Sequence, residues 1–257
     1  MGTIGDDDSS DLIRHAVILA GGKGTRLRPL TFSLPKPLIP IGEIPIIDII
    51  LAQLASAGVD RITIAAGYMA GIIMAYISAR KDELITVADV HVETEPLGTA
   101  GALALIKPPD ESFLVMNGDL LTSLKFTDLS LRHKETGADI TIAACRKTHQ
   151  VGLGVLESDE SGRLISYSEK PSSSYLASMG IYAMKPNIIG LIRKGERIDL
   201  PQLVLRAMKD GMNVQVYEFH GYWRDIGTPE EYGQALDDFH GQDPMRKLTV
   251  DYGNKKN

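Results

Sequence analysis

The sequence predicts an α/β fold of three layers, α/β/α, with a mixed, mostly parallel central sheet between the helices. Three observations lead there. Short runs rich in β-branched and apolar residues alternate with helix-length segments over most of the chain. The first such run leads straight into a glycine-rich turn, Gly21-Gly22-Lys23-Gly24. Finally, 257 residues with 44% hydrophobic side chains are enough for one sizeable core.

Taken in order, the first strand is predicted over 15–19 and a helix over 45–57, with Pro45 at its start and Gly58 just beyond its end. Proline's fixed φ and glycine's access to positive φ favour those two places. Strands over 61–65, 90–93 and 113–116 alternate with helices near 69–80 and 99–106. From 138 to 184 strands dominate, over 139–145, 154–157, 164–168 and 178–184, with a turn at 159–162. Helices around 186–193, 200–210 and 229–239 and a strand over 213–219 complete one domain spanning 14–240. Residues 1–13, with Asp6, Asp7 and Asp8 in a row, are expected to be a mobile N-terminal tail, and 241–257 a C-terminal tail. No internal repeat is present, and no trailing hexapeptide β-helix is expected.

Composition narrows the function. With 27 basic against 33 acidic residues the formal net charge is -6, so neither nucleic acid nor an anionic membrane is an expected partner. Any bound phosphate must be held by a local arrangement. A single cysteine, Cys145, excludes an intramolecular disulfide and any multi-cysteine metal site. No apolar run reaches the roughly 18 residues of a membrane helix, and the first residues are acidic where a signal peptide is basic and then apolar. A cytoplasmic protein is expected.

The turn after the first strand comprises Leu19, Ala20, Gly21, Gly22, Lys23, Gly24 and Thr25, followed by Arg26 and Arg28. Small residues there let backbone N–H groups approach a polyphosphate, and the arginines add charge. A tight reversal needs glycine for steric reasons as well, so by itself the loop leaves both readings open. It is neither a Walker loop, since Lys23 lacks the spacer and the following Ser or Thr, nor a dinucleotide fingerprint, since Leu27 stands where the third glycine belongs. Shortly after, Pro35 and Pro37 stiffen the backbone on either side of Lys36.

Together, residues 21–31 and 35–38 resemble the nucleotide-binding signature of the sugar-1-phosphate nucleotidyltransferases. The resemblance continues in the family's order through residues 93–101, Asn117-Gly118-Asp119, Glu169-Lys170-Pro171 and Tyr222-Trp223-Arg224-Asp225-Ile226-Gly227, and covers 16–236. It implies a Rossmann-like fold with a β-rich, sugar-binding half. It also implies transfer of a nucleotidyl group from a nucleoside triphosphate to a sugar 1-phosphate, with Mg2+ as cofactor. On this resemblance Asp119 and Asp225 hold the metal, and Arg26 and Lys36 neutralise the triphosphate and the leaving pyrophosphate. The nucleotide lies along Leu19, Ala20, Gly21, Gly22, Gly24, Thr25, Glu93, Pro96, Gly98 and Thr99. The sugar phosphate meets Gly154, Glu169, Lys170 and Gly180. Taken alone, Asp119 reads equally as a turn or capping aspartate, and Glu169-Lys170 as a solvated pair.

Glu93 and Glu95 occupy the stretch that runs beside the base in this family. Guanine offers two adjacent donors on its pairing edge where thymine and uracil offer one, so acidic residues there favour GTP. The overall look is closest to the mannose-1-phosphate guanylyltransferase-like branch. Leu153 stands where the mannose enzymes show tyrosine, and Ser178-Met179-Gly180 where they show Asn-Ala-Gly, which leaves the sugar open. Thymidylyl, uridylyl or cytidylyl transfer, a non-catalytic nucleotide-sugar-binding subunit, and homo-oligomer formation also stay open.

Overall fold

The computed structural model describes residues 12–80 and 87–240. The predicted tails lie outside the described residues except for Leu12 and Ile13, and Ile13 is buried in the core.

The elements run β1 (His15–Ala20), β2 (Pro40–Ile41), β3 (Ile44–Pro45), α1 (Ile46–Ser56), β4 (Arg61–Ala66), α2 (Ala70–Ala79), β5 (Val87–Val92), α3 (Gly98–Gly101), β6 (Phe113–Asn117), β7 (Leu120–Thr122) and α4 (Phe126–Thr136). The second half contains β8 (Ile140–Gln150), β9 (Val155–Ser158), β10 (Leu164–Ser168), β11 (Ser172–Met184), α5 (Leu200–Lys209), β12 (Val214–Phe219), β13 (Trp223–Asp225) and α6 (Pro229–His240). Seven strands form one sheet in the order β12-β8-β11-β6-β1-β4-β5. All its pairings are parallel except those of β11, which runs antiparallel to β6 and β8. This is the mixed, mostly parallel Rossmann-like sheet that the sequence predicts.

Side-chain alternation along the strands separates the two faces. Ala16, Ile18 and Ala20 of β1 join Leu114 and Met116 of β6 in a core covered by α1, α2, α4 and α6. Val17, Phe113 and Val115 point the other way into a second core with Leu200, Leu203 and Ala207 of α5. Because β4 lies on one side of β1 and β6 on the other, the chain reverses its direction of sheet growth at β1. Open α/β sheets place their ligands at the carboxyl ends of strands flanking such a point.

Three differences from the sequence reading have physical causes. Helix α4 was not predicted: its buried side includes Ser130 and His133 beside Phe126 and Leu129, too few apolar residues to announce a helix. Strand β11 begins at Ser172, not 178, because its first half is exposed and serine-rich and pairs with the equally exposed end of β8. The helix expected over 99–106 is the short α3 followed by a 3-10 turn, Ala102–Leu105. Among the described residues, no helix is long and apolar enough to cross a membrane.

Candidate active site

The turn after β1 is anchored by the residue that breaks the dinucleotide pattern. Leu27 is fully buried, its N–H donates to Gly24 O (2.9 Å), and Gly24 itself has φ +58, the left-handed region that suits glycine. Thr31 donates its hydroxyl to Gly24 O (2.7 Å). Gly22 meets no neighbour where a Cβ would stand, and Arg26 is exposed. Gly21 leaves room for Glu93: a Cβ there would lie 2.7 Å from Glu93 Oε1. Burial raises the Glu93 carboxyl above its ordinary range, opposed by a hydrogen bond from the Leu97 backbone. A half-buried carboxylate thus rests directly against the glycine turn.

Pro35 holds extended φ/ψ, and Lys36–Leu38 form one 3-10 turn with Pro37 and Leu38 buried. Pro37 lies close to Gly118, whose N–H donates to Leu19 O (2.9 Å), so the lysine turn, the end of β1 and the end of β6 are packed together. Asp119 follows at once. The small pair β7 and β13 then fixes the other aspartate: Asp225 pairs with Leu120, and Ile226 N–H donates to Asp119 O (3.0 Å). Two carboxylates that are far apart in sequence therefore meet.

Lys36 Nζ donates to Asp119 Oδ2 and lies 3.8 Å from Asp225 Oδ1. The Lys36 side chain is 12% exposed, that of Asp119 21% and that of Asp225 40%. Burial, and next the Asp119 charge, raise the Asp225 carboxyl above its ordinary range, while Lys36 and Arg26 pull it back. Arg26 comes near through Gly227, where a Cβ would stand 3.3 Å from its Nη2 and 3.6 Å from Asp225 Oδ2. Asp119 Oδ1 and Asp225 Oδ1 are buried and accept no hydrogen bond. Unsatisfied carboxylate oxygens on two aspartates that flank one lysine fit a hard divalent cation whose remaining ligands are phosphate oxygens and water. Among the described residues there is no group of three or more metal-ligating side chains.

The structure gives Thr99 a framework part. Its N–H and hydroxyl both donate to Asp199 Oδ1 (2.8 and 3.2 Å), and its hydroxyl accepts from Leu200 N–H (2.8 Å). Gly98, at φ +77, sits against Ile198 O, where a Cβ would clash at 2.6 Å. Both residues thus join the stretch after β5 to the start of α5, and Pro96 is exposed nearby.

On the other side, Tyr167 donates to Glu169 Oε2 (2.9 Å), and a Cβ on Gly154 would stand 2.6 Å from the Tyr167 hydroxyl. Gly154 and Glu169 are thereby brought together. Gly180, at φ +71, faces the Asn117 amide, which ties the β11 bulge to the end of β6. Lys170 is exposed with φ +46, a rare conformation for a side chain with a Cβ. Among the described residues, no ion pair joins it to Asp119 or Asp225. Sequence reasoning missed Tyr167 as a part of this site; Asn117 and Gly227 stood within the motifs it quoted but were given no role of their own.

Fold and site together define a class: a Rossmann-like α/β protein with a glycine turn suited to phosphate at the switch point and a carboxylate pair beside it. The Nucleotidyl transferase family model matches residues 15–241. The chain belongs to that family. It is 32% identical over 227 residues to a mannose-1-phosphate guanylyltransferase of Mycobacterium tuberculosis, and 36% identical over 225 residues to a mannose-1-phosphate guanyltransferase of Schizosaccharomyces pombe. Each match takes in 84% of this chain and 62% of the relative, so the chain spans about 62% of the length of these curated relatives. In structure it is similar to HddC from Yersinia pseudotuberculosis, with TM-score 0.67 and 27% identity over 88% of this chain and 100% of that one. HddC has also been solved in complex with GMP-PN (TM-score 0.65, 26% identity, 88% of this chain and 100% of that one).

Proposed function

We propose that the chain transfers a nucleotidyl group from a nucleoside triphosphate, GTP favoured, to a sugar 1-phosphate, releasing pyrophosphate. The observation that carries this reading is the meeting of Asp119 and Asp225 around Lys36, beside the glycine turn, with a buried oxygen of each carboxylate unsatisfied. An oxygen of the sugar phosphate attacks the α-phosphorus, and the bond from that phosphorus to the departing pyrophosphate breaks in line with it. No protein nucleophile is needed, so positioning and charge stabilisation carry the rate. The backbone N–H groups of residues 21–25 receive the phosphates. Arg26 and Lys36 offset the charge that develops on pyrophosphate, while Glu169 orients sugar hydroxyls and Lys170 meets the sugar's phosphate. Asp119 and Asp225 would hold magnesium, which would supply further charge neutralisation when bound.

Three things support guanine. Glu93 presents a carboxylate at the turn, a suitable acceptor for two adjacent donors. The relatives are named for guanylyl transfer, and the similar HddC was solved with GMP-PN. The acidic net charge and lone cysteine suit a cytoplasmic enzyme.

The test is pyrophosphate release over ATP, GTP, CTP, UTP and dTTP, crossed with a panel of sugar 1-phosphates, with magnesium present and absent. Release is expected with GTP, a sugar 1-phosphate and magnesium together. Release that needs no sugar phosphate, or none with any pair, refutes the proposal.

A further inference from the structure

Strand β8 carries two cations past the end of the core, and the structure treats them differently. Arg146 is neutralised by Glu218 through two hydrogen bonds of 2.8 and 2.9 Å. Lys147 makes no ion pair among the described residues. It lies on the same face of β8 as Cys145, which is buried in the core against which Trp223 packs. From there its ammonium sits over the Trp223 indole, 4.7 Å from the ring centroid.

The ring is fixed in turn. Trp223 Nε1–H donates to Met179 O (3.0 Å), in the β11 bulge next to Gly180. Trp223 and Asp225 occupy alternate positions on one face of β13, about 7 Å apart. Arg224, between them, turns to the opposite side and binds Asp238 (2.7 Å). The ammonium is therefore stacked on a residue that touches the bulge and shares a strand face with one of the two carboxylates. Strand β8 runs parallel to β6 through their common partner β11, so Lys147 lies at the carboxyl-end edge of the sheet, as the glycine turn does. A cation held by an aromatic face, with no carboxylate beside it, keeps its full charge for a ligand.

We infer that Lys147 is an acceptor-side specificity residue that binds the phosphate of the incoming sugar 1-phosphate and so selects phosphorylated over free sugars. This rests on the reading under Proposed function for the nature of the acceptor. Trp223 is the only tryptophan of the chain, so its fluorescence reports on this point alone.

The experiment is a fluorescence titration with mannose 1-phosphate, inorganic phosphate and free mannose, and separately with GTP, for the parent, Lys147→Met and Lys147→Arg. Methionine keeps an unbranched chain over the ring without the charge. The expected result is that Lys147→Met weakens both phosphate-bearing probes about 10-fold and leaves GTP unchanged. Lys147→Arg restores most of the loss. Lys147→Met binding that equals the parent's, an equal loss for GTP, or a parent with no phosphate-dependent signal overturns the inference. The two readings fail separately. Turnover with a KM for sugar phosphate unmoved by Lys147→Met sinks this inference and leaves the function standing. Lys147-dependent phosphate binding without turnover sinks the function and leaves Lys147 as a phosphate-binding residue.

Discussion

On the proposed donor side of the cleft, β1 and β6 are buried along nearly their whole length, and the turns that follow them are locked by backbone hydrogen bonds and by Leu27 and Pro37. On the proposed acceptor side, β9, β10 and the outer halves of β8 and β11 are exposed almost throughout, with Leu153 76%, Leu156 60% and Ile165 65% open to solvent. The difference separates two tasks. A phosphate-binding turn and a carboxylate pair need fixed geometry, which a close-packed core provides. An exposed antiparallel arm has few packing contacts to disturb, and Leu153, one of the positions where the resemblance to the mannose enzymes lapses, lies in it, while Met179 is buried in the core.

The strongest way to break this contrast is Asp119→Ala. It should lower pyrophosphate release about 10³-fold while thermal melting stays close to the parent's, since the residue lies at the rim of the core. Turnover within tenfold of the parent would mean that the donor wall's geometry does not carry the chemistry.

Next comes the cost of truncation. Phe113→Ala should destabilise by about 3–5 kcal/mol, and Leu156→Ala by under about 0.5 kcal/mol, measured by urea unfolding. Equal losses would show that the arm is packed in solution.

The smallest of the three is a pH effect confined to the packed half. His133 is buried, bonded to Thr141 and Ser112, and held down to about 4 by burial first and the Lys185 charge second. The unfolded chain takes up a proton on this residue first. Its contribution is therefore intact above pH 6.5 and is lost as pH falls toward 4, by up to about 3 kcal/mol. His133→Asn should flatten the stability profile in that window, and an unchanged slope would assign the loss elsewhere.

Much of the donor wall was legible because its signals are local. An apolar run followed by a glycine turn, and a lysine between two prolines, can be read within a few residues. The meeting of Asp119 with Asp225 was legible only through resemblance, because β7 and β13 are three residues each and pair over a separation of about 100 residues, as the Thr122 hydroxyl's bond to Tyr222 O shows. Helix α4 stayed hidden because His133 and Ser130 fill positions where an apolar residue would have advertised it. The arm was read short for the opposite reason: Ser172, Ser173 and Ser174 form strand without burial, so no hydrophobic alternation marks them.

The closure of β13 on β7 also sets an order of events during synthesis. A nascent chain can assemble the glycine turn and the lysine turn long before Trp223 and Asp225 leave the ribosome. Until they do, Asp119 stands without Asp225, and the emerging protein holds the two turns but only one of the two carboxylates that the finished fold brings together.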